Sequence, residues 1–265
     1  MTDYQLKFGG IARLYGIDGL EVIQKSHFCV IGIGGVGSWV AEALARNGVG
    51  NITLIDLDDI CITNINRQIH AMTSTVGQDK VEVMAQRILD INPDCHVNQI
   101  DDFVTDDNLV ELMSHDFDYV IDAIDSVDIK TKIIAHCKRN KIPMVTIGGA
   151  GGQIDPSKIQ VCDLSKTYQD PLLAKVKNQL RRAHNFPRDT EKKASKRKFS
   201  IDAVFSSEQL LYPESSGGVC HAKQPQNEGT RLDCSGGFGA ATHVTATFAF
   251  FAVAHALKKL INKKK

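Results

Sequence analysis

The sequence predicts an α/β protein built on a doubly wound, mostly parallel sheet, with additional C-terminal strands and an apolar C-terminal helix. Three observations carry that expectation. Short apolar runs alternate with helix-forming runs from residue 28 to 150, which is the pattern of a parallel sheet with helical crossovers. The first apolar run enters Gly32-Ile33-Gly34-Gly35-Val36-Gly37, and a helical run follows at once, as in Rossmann-like βαβ units that bind nucleotides. Beyond Gly148-Gly149-Ala150-Gly151-Gly152 the alternation gives way to shorter runs and a long stretch rich in Gly, Ser, Pro and Asn.

Taken in order, residues 1–26 read as a helical lead-in. Phe8, Ile11, Leu14 and Tyr15 lie at helical spacing, and a loop through Gly16 and Gly19 leads to a second helix near Leu20 to Lys25. The strands expected next are 28–31, 51–56, 96–100, 118–123 and 142–147, and the helices 36–46, 78–91 and 126–139. Pro93 ends the second of these helices. Runs 158–162 and 201–205 read as extra, antiparallel strands on the same sheet. Residues 213–237 form a long loop in this reading, and 238–260 an apolar helix followed by lysines. One domain over 1–265 is expected: lead-in 1–26, nucleotide-binding core 27–162, and a substrate or dimer region 163–265 with a basic segment at 175–198.

Composition narrows the function classes. With 43% apolar and 23% charged residues in 265, the chain is of ordinary globular type. Its formal net charge is zero, so a nucleic-acid partner has to be met by a local patch. The cysteines at 29, 61, 95, 137, 162, 220 and 234 include no CxxC pair, which argues against a structural zinc site or a dithiol motif. A reduced, cytoplasmic protein is expected, since the N-terminus also lacks the basic and apolar regions of a signal peptide. The last helix is long enough to span a bilayer. His243, His255 and its threonines fit a buried helix better, so peripheral membrane contact is a secondary expectation.

The glycine turn followed by Asp56 at the end of the next strand is the pattern that holds phosphate and ribose. The residues beyond Asp56 separate two nucleotide classes. Hydride transfer needs a nicotinamide held against a substrate carbon, whereas ATP chemistry needs cations and a divalent metal around a triphosphate. Asp58, Asn64, Arg67 and Gln68 come off the acidic strand end, and Lys80 opens the next helix. Asp125 and Ser126 lie just past the fourth strand, where a carboxylate suits Mg²⁺ shared with phosphates. Each residue also has a plain structural explanation: Arg67 could pair with Asp58 or Asp59, Lys80 could be solvated, and Asp125 could cap a helix.

Together, Gly32 to Gly37, Asp56-Leu57-Asp58, Asn64 to Gln68, Gly77 to Val81 and Ile124-Asp125-Ser126 resemble the ubiquitin-activating (E1-like) superfamily of adenylating enzymes. The resemblance implies that a carboxylate attacks the α-phosphate of ATP and pyrophosphate leaves. It places Gly32, Gly34, Gly35 and Gly37 against the nucleotide, Asp56 on the ribose, and Asn64, Arg67 and Lys80 on phosphates. Asp125 would hold Mg²⁺, and Arg13 would reach the partner's site across a homodimer.

Zinc-binding CxxC pairs, usual in bacterial members that activate sulfur carriers, do not occur. The second half, through Gly148 to Gly151, Lys158-Ile159, Val204 to Glu208 and Cys234 to Gly239, instead resembles the branch that dehydrates threonylcarbamoyladenosine in tRNA. That implies tRNA as client, with Lys175, Lys177, Arg181, Arg182, Lys192 and Lys193 on its backbone. Two alternatives stay open. Cys234 could act as a thiol toward a ubiquitin-like or sulfur-transfer protein partner, or the basic run could be a solvated loop.

Overall fold

The computed structural model describes residues 2–114, 116–188, 197–214, 216–221 and 238–263. Two helices, α1 (Asp3–Tyr15) and α2 (Ile17–Lys25), precede β1 (His27–Ile31) and α3 (Gly37–Arg46). There follow β2 (Asn51–Ile55), α4 (Lys80–Ile91), β3 (His96–Ile100), α5 (Leu109–Leu112), β4 (Tyr119–Asp122), α6 (Val127–Asn140) and β5 (Met144–Ile147). The second half supplies β6 (Ile159–Asp163), α7 (Pro171–Ala183), β7 (Asp202–Ser206), the short β8 (Tyr212–Pro213) and β9 (Val219–Cys220), and α8 (Thr242–Lys263).

Seven strands form a sheet in the order β3-β2-β1-β4-β5-β7-β6. All neighbours run parallel except β6 and β7. Of the two late strands expected to be antiparallel, only β6 is so oriented. The chain crosses back through α7 after β6, and β7 therefore enters parallel to β5. In the register, Ile31 lies beside Ile55 and Asp122, so the strand ends that carry the site are level.

Residues of β1 alternate between two cores. Phe28 and Val30 join α3, α4 and α8 on one face, while Cys29 and Ile31 join α6 and α7 on the other. Burial on both faces is what a parallel sheet requires. At the N-terminus, Thr2 and Gln5 form a capping box, and Tyr4 donates to the Gly48 carbonyl at 2.6 Å. Gly16, at φ 81°, separates α1 from α2. Gly19, expected in the loop, sits inside α2, where only glycine fits: an added Cβ would lie 2.8 Å from the Tyr15 Cβ. Leu14 is exposed although its spacing matches the packed positions.

The C-terminal helix begins at Thr242, not at Phe238. It is long and apolar enough to cross a membrane, yet 61% of its most apolar window is buried within the protein. Val244, Phe248, Ala249, Ala252 and Ala256 pack in the core with α3 and the sheet. Its composition is therefore accounted for by packing, and the membrane expectation has no separate support. The segment 175–198 is not one basic loop: residues up to Ala183 belong to α7, while 189–196 lie outside the described residues.

Candidate active site

A cavity of about 690 Å³ runs along the carboxyl ends of β3, β2, β1, β4 and β5, where open α/β sheets bind ligands. Gly32, Gly34, Gly35 and Val36 form its floor at the start of α3. Gly37 does not line it. A Cβ at Gly37 would come 1.7 Å from the Gly32 carbonyl oxygen, so this glycine closes the turn by packing.

Asp56 hangs from the end of β2. One carboxylate oxygen accepts from the Ile33 amide at 2.5 Å and the other from the Asp58 amide at 2.9 Å. Burial raises its pKa, an effect that the nearby Lys80 ammonium opposes. Lys80, at the start of α4, is 5% exposed. Its Nζ donates to Asp58 Oδ2 at 2.7 Å and lies 3.7 Å from Asp56 Oδ1. The cation is thus buried in the cavity wall between two carboxylates, the exposed Asp58 and the buried Asp56.

Arg67 lies beside the glycine turn. Its Nη1 donates to the Thr63 carbonyl at 2.7 Å and to Asn66 Oδ1 at 2.9 Å. The Arg67 carbonyl accepts from Trp39 Nε1 at 3.0 Å and Thr245 Oγ1 at 3.4 Å. Gln68 lines the cavity, is 5% exposed, and its Oε1 meets no partner among the described residues. Asn64 does not line it: its Oδ1 accepts from the Cys61 amide at 3.0 Å and braces the short turn before Arg67.

Asp125 and Ser126 stand exposed on the rim beyond β4. Beneath them Asp122 and Lys130, both fully buried, pair at 2.8 Å, and Thr146 donates to Asp122 at 2.7 Å. Among the described residues no group of three His, Cys, Asp or Glu could hold a metal ion. A divalent cation at Asp125 would therefore take its remaining oxygens from phosphate and water, as Mg²⁺ commonly does.

The fourth wall is Gly148 to Gly151. Asp170, the N-cap of α7, accepts from the Gly149 amide at 3.0 Å and the Leu173 amide at 2.9 Å. Burial raises its pKa. A Cβ at Gly148 would lie 1.9 Å from Asp170 Oδ2, so this glycine makes room for a carboxylate of the protein.

Several lining residues escape a reading of the sequence. Asp102, Phe103 and Val104 follow β3, and Phe238, Gly239, Ala240 and Thr245 come from the chain's far end. Asn66 Nδ2 donates to the Ala240 carbonyl at 2.8 Å, and Thr242 Oγ1 donates to the Asn66 carbonyl. The loops beyond strand ends were a readable signal for 102–104; Phe238 and Gly239 stand in the Cys234 to Gly239 motif, but nothing in it says that they reach this cavity.

Other expected residues lie elsewhere. Arg13 is on an exposed part of α1 and does not line the cavity. Lys175 and Arg182 line a surface groove with Val127, Asn178 and Gln179, adjoining Ser126 in sequence. Lys177 instead donates to the Thr167 carbonyl at 2.6 Å, and Arg181 donates to the Pro187 carbonyl at 3.2 Å and stands over the Phe199 ring. Lys192, Lys193 and Cys234 lie outside the described residues.

A doubly wound sheet bearing a glycine turn, a buried carboxylate at the second strand and Lys80 with Arg67 around one cavity defines a nucleotide-binding protein charged for polyphosphate. The chain belongs to the ThiF family, whose model matches residues 8–265. It is 57% identical over 260 residues, 98% of this chain and 95% of the relative, to the tRNA threonylcarbamoyladenosine dehydratase of Escherichia coli K12. It is 56% identical over its whole length to the enzyme of that name from Haemophilus influenzae, 97% of which is covered. The solved structure of the E. coli enzyme in complex with ATP superposes with a TM-score of 0.87 at 54% identity, covering 99% of this chain and 97% of that one. A molybdopterin-synthase adenylyltransferase of H. influenzae is 30% identical over 175 residues, 63% of this chain and 71% of the relative.

Proposed function

We propose that this protein uses ATP to dehydrate the threonylcarbamoyl group on adenosine 37 of tRNA. The substrate carboxylate attacks the α-phosphorus of ATP, the bond to the β-phosphate breaks, and pyrophosphate leaves. The resulting acyl-adenylate is then attacked by a nucleophile of the same modified nucleoside, AMP departs, and a ring closes with net loss of water from the substrate. Ring closure is intramolecular, so holding the two ends together supplies much of the acceleration. No protein nucleophile is needed.

The observation that carries the chemistry is Lys80, a buried ammonium on the cavity wall beside Asp58 and Asp56. In this reading Asp56 holds the ribose, the turn from Gly32 to Gly35 lies along the phosphates, and Arg67 and Lys80 offset the charge that builds on the leaving group. Gln68 offers a polar contact to the nucleotide. Asp125 would hold Mg²⁺, which would supply charge neutralisation beside the phosphates. Ser126 borders that position. Asn64 acts through the turn that presents Arg67. The high identity to dehydratases along nearly the full chain supports tRNA as client.

We further read residues 1–265 as one cytoplasmic adenylating domain that works as a homodimer, with Arg13 contributing across the dimer, and Lys175 and Arg182 meeting tRNA backbone. The weaker likeness to molybdopterin-synthase adenylyltransferases supports a second reading, activation of a protein partner, in which Cys234 would serve as the thiol. Exchange of radiolabelled pyrophosphate into ATP separates the two. Exchange that depends on threonylcarbamoylated tRNA is expected; exchange that needs only a small carrier protein refutes the tRNA reading.

A further inference from the structure

The glycines that close the far wall of the cavity serve an aromatic ring. Gly151 and Gly152 lie so near Phe238 that an added Cβ would stand 2.9 Å from the Phe238 Cβ and 2.8 Å from its Cδ1. The Gly152 amide donates to the Gly239 carbonyl at 2.7 Å, and the Leu211 amide donates back to the Gly152 carbonyl at 2.8 Å. Tyr212 flanks the ring, with centroids 5.0 Å apart and planes at 52°. Phe238 is therefore held by backbone on one side and an aromatic neighbour on another, yet it still lines the cavity.

Sheet order says which ligand this ring meets. From one end to the other the cavity passes β3, β2, β1, β4 and β5. Asp56 at the end of β2 takes the ribose and the turn after β1 takes phosphate, so the adenine of ATP extends the opposite way, over Phe103 and Val104 beyond β3. The β5 side, with Gly148 to Gly151 and Phe238, is left for the group that attacks the α-phosphorus.

From this arrangement we propose that Phe238 is the stacking platform for the nucleobase that carries the substrate carboxylate, the target adenine of tRNA. A base whose exocyclic group is to be modified has to leave its stack and find a replacement surface, which an aromatic side chain supplies. This assignment rests on the tRNA reading above. Tyr212 acts as a positioning residue by restricting the ring, and the glycine bed fixes its depth.

The test uses the full-length protein and threonylcarbamoylated tRNA. Phe238→Ala is expected to raise KM for tRNA roughly tenfold to a hundredfold, the range for loss of one base–aromatic stack, with ATP affinity within about twofold of wild type. Phe238→Tyr and Phe238→Trp should restore most of the loss, while Phe238→Leu, apolar but not aromatic, should not. As a direct readout, an anticodon stem-loop with 2-aminopurine at the target position should be quenched on binding wild type and Phe238→Tyr but not Phe238→Leu. Unchanged KM and unchanged quenching in Phe238→Leu would overturn the platform. Equal weakening of ATP and tRNA in Phe238→Ala would also overturn it, by placing the ring on the ATP adenine or in the fold. If wild type itself shows no tRNA-dependent pyrophosphate exchange, the functional reading fails, an outcome separate from either of these.

Discussion

At the scale of single residues, the cavity wall holds charged groups where water is scarce. Lys80 is only 5% exposed, and Asp58 and Asp56 lie 2.7 and 3.7 Å from its Nζ. Replacing it by methionine keeps the volume but leaves the two carboxylates unpaired, facing the phosphates that the proposed function brings to this wall. Lys80→Met should therefore lose about two to three orders of magnitude in pyrophosphate exchange at saturating ATP, the usual cost of deleting a preorganised phosphate contact. His70 is buried nearby, and desolvation, aided by Lys80 and Arg87, lowers its pKa from 6.5 to about 4. Because the folded state then binds fewer protons than the unfolded one, its contribution is fully present above pH 6.5 and is lost as pH falls toward about 4. Between pH 7.5 and 5 the protein should lose about 2 kcal/mol on this account. Urea midpoints of His70→Phe should show a correspondingly shallower pH dependence than wild type.

At the scale of elements, α8 separates packing from membrane affinity most clearly. Phe248 is fully buried against α3 and the sheet, whereas Phe250 is 46% exposed. Phe248→Ala should cost about 3–5 kcal/mol, lowering Tm by roughly 10 °C, and Phe250→Ala far less; a lipid-embedded helix would not distinguish them. The strands and helices of the first half were legible because each apolar run is short, bounded and alternates with a helix. Helix α7 was less so, although Leu172, Leu173, Val176 and Leu180 lie on one face and Asp170-Pro171 is a start signal. Its lysines and arginines dominate the composition, so the stretch read as a basic segment with no helix assigned. Gly19 misled for a different reason: it reads as a loop signal, but it is a glycine inside α2 because Tyr15 leaves no room for a Cβ there.

At the scale of the whole molecule, a chain of zero net charge carries its positive groups locally. Lys175 and Arg182 border a groove that begins beside the site rim. Replacing either by alanine should weaken tRNA binding and reduce the slope of log affinity against log salt by about 1, measurable by filter binding from 50 to 200 mM salt. Loss of affinity with an unchanged slope would remove the residue from the backbone footprint. Most lining residues near the strand ends were readable because the motif order supplies them. For Phe238 and Gly239 the motif was legible but not its place in the cavity, and Ala240 and Thr245 gave no signal, since these residues reach the cavity only through long-range contacts such as Asn66 with Ala240.

Asp170 joins these scales, because its one carboxylate receives amides from both Gly149 and Leu173. Cavity wall and basic helix thus share an anchor and should open as a unit. Once each is corrected for its intrinsic exchange rate, those two amides would then show one protection factor, and occupancy of the groove by a polyanion would raise both in equal proportion.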